Sequence, residues 1–523
     1  MSGPGFGAPG MISSARARSF RSGLLVTACA LIALALLIPL LSAEGSPLRV
    51  GAHSLGAAFE LAAAGLGLLV AAVVVWWARR RGRFDPFEPP VWFSLNAYGQ
   101  VVLNVWLLQR DVHFRPFVAN MATESTPVAA VLLMAIGLSA LWVGYLAATR
   151  YFGSRPGLAR HVPRQPRWHL IVGLWFVCTL VQALSVVAGA IGYLSLTGSV
   201  WTSYLAFAGH LGDLAAFVLL LHHFRHPRAT GWLWLLVVIA TNVVLGLVVG
   251  TKTAVLVLLY IVMAIYYARR RLSARWLALG FLALLLVVPT VNSFRTNLYA
   301  AGFDRTAGAG FGDRLPILVS SVSSTLSNPL SGLAEQTRDT FEQRQGSLLE
   351  ITVSIMAVHP NLKPFVGLDM LAELAVQTIP RVFWPGKPAG HPDLYLILSL
   401  YLGVPDYTWA TPGQFGDAYR AGGWPLVVLW LCLLGAVMAW FYARGPGRGE
   451  LAGTAFYLLI LTSFVTYDGH LLRVIMELPK FVVLLWLVNN YLLFRPASRQ
   501  SSKASPPGGA GARQGLPGTK GLS

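Results

Sequence analysis

Arg381, Lys387 and Arg420 stand in one stretch of the chain with His391, Asp393 and Asp417 between and beside them. A guanidinium offers a planar fork of donors that matches a carboxylate or a phosphate, and an ammonium acts as a point charge. Carboxylates and imidazoles are the groups that accept protons in catalysis. The stretch reads IPRVFWPGKPAGHPDLYLILSLYLGVPDYTWATPGQFGDAYRAGGWP, so these groups are set among Pro, Gly and aromatic residues, the composition of a binding site. Plainer readings stand beside that one. Asp417 and Arg420, three apart, could pair with each other. Arg381 could cap the carbonyls of a preceding helix, and Lys387 could anchor at lipid head groups.

Other polar groups are scattered through apolar surroundings. Lys252 follows a short connection between two greasy runs; it either snorkels to an interface or is aimed at an anionic head group. Arg295 opens the long polar stretch, and Glu350 lies within it. His210 and Asp213 are one helical turn apart inside an apolar run, either as a structural dyad or as a functional pair. Asn96, Gln100 and Asn104 repeat at four-residue steps, which places them on one helix face. There they serve as interhelical hydrogen-bonding groups or line a substrate path. Tyr467-Asp468-Gly469-His470 leads into Arg473 and Glu477, and helical spacing puts Arg473 beside both His470 and Glu477.

The elements that must position these groups are membrane helices. Hydrophobic residues make up 55% of the 523-residue chain and charged residues 12%, with a mean hydropathy of +0.61. An ordinary soluble domain carries about 25% charged residues. Apolar runs of bilayer length give twelve expected spans, at 23–41, 57–77, 91–108, 127–148, 168–190, 205–222, 232–249, 252–267, 276–291, 424–443, 451–467 and 479–494. The expected fold is an all-α polytopic membrane protein. A cytoplasmic segment at 1–22 precedes nine spans within 23–291; a large outer loop at 292–423 and three spans within 424–494 follow, then a disordered cytoplasmic tail at 495–523. The first span could instead be a cleaved signal peptide, although its apolar run is longer than a usual signal core.

Orientation follows from Lys and Arg in the connections. With both termini cytoplasmic, 25 of the 40 basic residues fall on the inside with only Asp85, Glu88 and Glu450 as acids. The remaining segments hold 15 basic and 18 acidic residues. The net charge of +19 is therefore a feature of topology and of contact with anionic lipid, and needs no nucleic-acid partner. Cys29, Cys178 and Cys432 all lie inside expected spans and read as small apolar residues, without a disulfide or metal framework.

Within the outer loop, Leu348–Val358 and Leu368–Thr378 are apolar enough to form interfacial or partly embedded helices. Pro380, Pro385 and Pro388 then impose an irregular turn, and Phe383 and Trp384 suit an interface. Ile379-Pro380-Arg381, Phe383-Trp384-Pro385 and Lys387-Pro388 resemble the P-R-x-x-W-P-x-K-P signature of bacterial oligosaccharide repeat-unit polymerases, the Wzy-type O-antigen polymerases. Thr411-Pro412-Gly413, Gly416-Asp417-Ala418-Tyr419 and Gly422-Gly423-Trp424 are similar to the segment before their next span. Arg420-Ala421-Gly422 stands where that family often has Asn-Phe-Gly.

The resemblance implies transfer of a growing glycan from undecaprenyl diphosphate to a hydroxyl of another lipid-linked repeat unit. The setting would be the bacterial inner membrane, with a flippase and a chain-length regulator of the same pathway as partners. Cations would then steady the diphosphate leaving group, and Lys252, Arg295, Arg381, Lys387, Arg420 and Arg473 are available. A base for the acceptor hydroxyl would be Asp417, His391 or Asp393, with Glu350 a weaker choice. No Asp-x-Asp element or His/Cys cluster points to a metal, so the expected transfer is metal-independent and needs no cofactor. An O-antigen ligase and a transporter of lipid-linked oligosaccharide remain as alternatives.

Overall fold

The computed structural model describes residues 49–50, 53–54, 57–82, 84–99, 125–153, 164–188, 200–227, 229–250, 253–269, 274–303, 310–327, 349–367, 412–445, 451–463, 471, 474–475, 482–483 and 485–496, with residues 369, 376, 379 and 384. It is an all-α membrane protein. Five of its described helices are long and apolar enough to cross a membrane: Ala58–Arg81, Ser125–Tyr151, Trp168–Val187, Trp232–Val249 and Gly413–Arg444.

In chain order the helices are α1 Ala57–Arg81, α2 Pro89–Ala97, α3 Ser125–Gly153, α4 Trp168–Val187, α5 Val200–Arg225, α6 Ala229–Val249, α7 Thr253–Arg269, α8 Ala274–Ala300, α9 Phe311–Ser327, α10 Leu349–Val358, α11 Gly413–Arg444 and α12 Leu451–Ser463. A π-helical turn, Val488–Leu493, follows α12. Two very short antiparallel ladders, Arg49–Val50 with His53–Ser54 and Arg164–Pro166 with Phe494–Pro496, complete the described elements.

The helix ends follow local chemistry. α1 has Glu60 in its first turn and Arg79, Arg80 and Arg81 in its last, which complements the helix dipole. It stops at Gly82 with φ +65, the left-handed residue that commonly closes a helix. α2 opens on Pro89 and Pro90, where a missing N–H costs nothing.

Aromatic rings and arginines mark one end of the bundle. Arg80 lies over Trp76 at 5.5 Å, Arg81 over Trp77 at 4.5 Å, Arg269 over Phe224 at 5.9 Å and Arg444 over Trp440 at 3.9 Å. The Arg269–Phe224 contact joins the C-terminal ends of α5 and α7.

The turn between α1 and α2 gathers more helices at this same end. Its Asp85 accepts hydrogen bonds from Tyr442 Oη of α11 (2.8 Å) and from the Phe87 N–H (3.1 Å). Tyr267 of α7 donates to the Phe87 carbonyl at 3.2 Å, and Tyr457 of α12 donates to it as well. Glu88 accepts the Tyr145 hydroxyl of α3 at 2.7 Å and pairs with Arg81 at 3.6 Å. Asp85 and Glu88 are 2% and 1% exposed, so the turn Phe84-Asp85-Pro86-Phe87-Glu88 is a buried staple rather than a solvated loop.

α3 and α11 make the most extensive helix contact. Small residues allow it: Gly144 of α3 lies against the Cys432 carbonyl, and Gly435 of α11 against the Leu141 carbonyl and the Tyr145 amide. Close backbone approach through small residues is the usual basis of helix packing in membranes.

The structure departs from the expected bounds of the long polar stretch. α8 runs through residue 300 rather than ending near 291, and carries Arg295 on its last turns. α9 was not expected at all. It is amphipathic, burying Arg314, Leu318, Ser321 and Thr325, and Asn297 of α8 donates to Ser321 at 2.9 Å. Its start is fixed by Asp313, which accepts the Gly310 N–H at 3.0 Å as in a capping box. A second apolar cluster of Val186, Val248, Phe294, Leu298 and Leu318 ties α4, α6, α8 and α9 together.

Candidate functional site

α11 is a hairpin, not one rod. Its helical backbone is broken at Gly422 and Gly423, the latter at φ +67, ψ −157. In a continuous helix, residues 414 and 430 would stand about 24 Å apart. Instead the Trp430 indole N–H donates to Gln414 Oε1 at 2.9 Å. Phe415 and Val427 also meet the same spot on α3, beside Gly137. Residues 413–421 therefore fold back along residues 424–444, with both arms against α3. The short arm is buried at every residue from Gly413 to Ala421.

On that arm the Arg420 guanidinium donates through Nε (3.1 Å) and Nη2 (2.9 Å) to Asp417 Oδ1. The Leu471 backbone N–H donates to Asp417 Oδ2 at 3.0 Å. The two side chains are 2% and 0% exposed. A charged group in such a place is expensive and is held only by good pairing. Asp417 already accepts three donors on its two oxygens, so its evident work is to orient Arg420. The sequence reading of a local pair and the reading of a substrate cation are thus compatible: one carboxylate holds one guanidinium in place.

A strap closes over the turn of the hairpin. α10 lies along the short arm, with Thr352 and Ile355 packed over Gly416. Its residues Leu349–Met356, Val358 and the following His359 are all buried. Residues 359–367 then run to the hairpin turn, where Val366 N–H donates to the Arg420 carbonyl (3.2 Å) and Gly367 N–H to the Ala421 carbonyl (2.9 Å). Those are among the last carbonyls of the short arm, which have no partner within their own helix. Phe365 covers Gly423, where a Cβ would come within 3.0 Å of its ring, and packs edge-on to Tyr419 at 5.6 Å. Tyr419 in turn meets Trp424 at 6.3 Å. Only glycine fits that turn, by conformation and by space.

His359 begins the strap. Its Nδ1 is 3.0 Å from both the Lys363 and the Pro364 carbonyl oxygens, and its ring stacks on Phe365 at 6.1 Å and 14°. Burial holds the imidazole below its ordinary pKa. The two carbonyl bonds oppose that shift, and the charges of Arg420 and Lys363 add to it.

The expected site residues divide three ways. Asp417 and Arg420 are brought together. Arg295 stands elsewhere on α8, its Nε donating to the Gly250 carbonyl at the α6–α7 turn (2.6 Å). Lys252, Arg381, Lys387, His391, Asp393 and Arg473 lie outside the described residues, as do Gln100 and Asn104. Leu471 brings the connection after α12 to Asp417 through its backbone. Glu350 is buried in α10, and Trp384 is exposed. Asp213 makes no hydrogen bond or ion pair with the described residues, while Gln182 and Cys178 of α4 lie opposite Gly209 and Gly212 on its helix.

Sequence reasoning missed His359, the strap, the buried Arg314 and the Asp85/Glu88 staple. His359-Pro360 followed by Lys363-Pro364 was a turn signal that could have drawn attention to the strap. Nothing in the sequence joins it to Arg420.

Residues 176–445, just over half of the chain, match the family model described as a domain of unknown function (DUF8712), and the chain belongs to that family. The match spans α5 to α10 and the whole hairpin, with most of α4. No curated protein and no solved structure matches.

Proposed function

We propose that this DUF8712 protein is a membrane glycosyltransferase that polymerises lipid-linked oligosaccharide repeat units. It would move a glycan from undecaprenyl diphosphate to a hydroxyl of a second lipid-linked unit, at the outer face of a bacterial inner membrane. One observation carries the reading. Arg420 is a guanidinium fixed by a buried carboxylate at the turn of a hairpin packed inside a membrane bundle. An ionic group kept in such surroundings marks a functional site by default, and a pre-oriented guanidinium suits the diphosphate that such a transfer releases. The sequence similarity around Arg381, Trp384 and Lys387 supports the same reading.

The chemistry is a displacement at the anomeric carbon. A bond forms from the acceptor oxygen to that carbon as the bond to the diphosphate oxygen breaks. The electron pair leaves with the diphosphate, which Arg420 would meet, and the acceptor proton passes to a base. The donor linkage already stores the energy, so neither nucleotide sugar nor ion gradient is needed.

Purified protein in vesicles, given only lipid-linked repeat units, should therefore produce a ladder of longer lipid-linked chains. Arg420→Ala should abolish the ladder, and Arg420→Lys should restore it poorly because the planar fork is lost. Wild-type protein that moves lipid-linked sugar across the vesicle without lengthening it would overturn the polymerase in favour of a transporter. Delivery of the glycan to a different acceptor would make it a ligase.

A further inference from the structure

We propose that α9 lies along the outer surface of the bilayer, with one flank sunk among lipid acyl chains and the other in water. The inference does not depend on the glycosyl-transfer reading. It starts from how the 17 residues of α9 divide around the helix. Successive residues of a helix are turned by about 100°, so residues four and seven apart share a face. Arg314, Leu318, Ser321 and Thr325 form the face buried against the protein. On one side of it, one residue further on at the same steps, stand Leu315, Val319, Val322 and Leu326. On the other side stand Asp313, Ser320, Ser324 and Ser327.

Both flanks are open. Val319 and Leu326 are each 61% exposed and Leu315 is 44% exposed; Asp313, Ser320, Ser324 and Ser327 are exposed as well. Standing in water, α9 would wet three large aliphatic side chains on one stripe. Sunk wholly in lipid, it would carry the Asp313 carboxylate among acyl chains, which is expensive. The serines are the more tolerant members of that flank, since the Ser320 and Ser327 hydroxyls donate to the Ile317 and Ser323 carbonyls of their own helix (2.9 and 2.8 Å). A face on the protein, a greasy flank and a polar flank, side by side, suit a helix that lies on the boundary between lipid and water.

The surroundings of the apolar flank point to lipid as its occupant. Phe311 and Val322 pack on the cluster of Val186, Val248, Phe294, Leu298 and Leu318, at or near the C-terminal ends of α4, α6 and α8. α4 and α6 are both long and apolar enough to cross a membrane. Near those ends Leu184 and Val187 of α4 are 58% and 56% exposed, and Val244 of α6 is 55% exposed. The stripe on α9 therefore continues the lipid-facing surface of two spans. α5 ends on Arg225, at the arginine-rich end of the bundle, and α6 begins at Ala229. The far end of α6, at Val249, is about 30 Å along the helix. α9 thus sits at the end away from the arginines, the one that their excess would leave outside. Neither flank carries a cation, so the contact is with acyl chains rather than with anionic head groups.

Single cysteines at neighbouring positions provide the test. In full-length protein with Cys29, Cys178 and Cys432 replaced by alanine, Val319→Cys and Ser320→Cys are each labelled with an environment-sensitive fluorophore. The labelled proteins are placed in vesicles of phosphatidylcholine and phosphatidylglycerol. The label at 319 should emit to the blue of the label at 320. Lipid carrying a nitroxide near the top of its acyl chain should quench it several-fold more, and aqueous iodide several-fold less. Equal iodide quenching at the two positions would put the apolar flank in water and overturn the proposal. Equal quenching by lipid would sink the whole helix, and quenching of 319 by neither agent would mean that protein covers it; either result also overturns the proposal.

Wild-type protein gives a second readout that needs no variant. Reconstituted with phospholipid bearing a photoactivatable diazirine on its acyl chain, it should take up lipid adducts at Leu315, Val319 or Leu326 and none at Ser320, Ser324 or Ser327. Adducts spread evenly over both flanks would count against the proposal, as would an untagged α9 in protein whose α4 and α6 are tagged.

Discussion

Glu88 shows how differently one residue reads in a sequence and in a fold. In the sequence it is one of three acids among 25 basic residues, and nothing more than a charge. In the fold its carboxylate is buried, bonded to Tyr145 and beside Arg81. Burial raises its pKa above the usual carboxylate value, and Asp85 adds to the rise; the Tyr145 hydroxyl and Arg81 oppose it. An acid with a raised folded pKa binds its proton more tightly folded than unfolded. Stability is therefore lost as pH rises from the unfolded value through the folded one, and the loss persists above it. Glu88→Gln keeps an acceptor for Tyr145 without the buried charge. It should melt at or above wild type at pH 7.5, with the advantage fading as the pH is lowered. Glu88→Ala strands the Tyr145 hydroxyl and should cost about 1–3 kcal/mol. Melting curves across pH decide the matter: a glutamine variant well below wild type at pH 7.5 would mean that the Arg81 pair outweighs the burial penalty. The same contrast holds at the candidate site. The Asp417–Arg420 pair was legible because it is local, three residues on one helix. The setting of His359 was not, because it is made by two carbonyls and by a cation sixty-one residues away in sequence.

Elements were legible where an apolar run of bilayer length stood between polar ends, and α1, α3, α4, α6 and the long arm of α11 were all found that way. The short arm was not, because Gln414-Phe415-Gly416-Asp417-Ala418-Tyr419-Arg420 has the composition of a loop and is helical only through its packing. Gly422-Gly423 signals a break, but a break alone does not say whether the chain bends or doubles back. The Gln414–Trp430 bond and the shared contact at Gly137 decide it. α9 was hidden for a related reason: half of its faces are polar and its buried arginine breaks the hydrophobic pattern. What holds the hairpin to α3 is close backbone contact, which makes a sharp prediction at the element scale. Gly144→Ala would drive a Cβ into the Cys432 carbonyl, a backbone atom that cannot swing aside. Overpacking of this kind typically costs about 1–3 kcal/mol. Gly173→Ala, in α4, meets nothing within 4 Å and should be neutral or gain up to about 1 kcal/mol from helix propensity. Equal melting temperatures for the two variants would show that α3 and α11 do not approach as closely as the structure has them.

At the scale of the whole molecule, charge and contact point the same way by independent routes. The charge pattern groups the segment around Arg150–Arg167 with the C-terminal tail. The structure joins the same two regions in a ladder, Arg164–Pro166 with Phe494–Pro496, and Arg167 N–H donates to the Leu493 carbonyl at 2.8 Å. The staple at Asp85 gathers the turn after α1 with Tyr145, Tyr267 and Tyr442, near the C-terminal ends of α3, α7 and α11. These ends thus share one end of the bundle, with arginines at it. Contacts cannot say which face of the membrane that end occupies, because they are the same either way up; the excess of arginine can, since loops rich in Lys and Arg are retained inside. Reporter fusions after Arg81, Arg160 and Arg271 and in the C-terminal tail should therefore all read as cytoplasmic, and one near Gly346 as external. Four concordant inside signals with an inside signal at Gly346 would bring the strap and hairpin to the wrong side for polymerising units already carried across the membrane. An outside signal at Arg81 would break the agreement between charge and contact, since Arg81 is bound into the same staple as Tyr145 and Tyr442.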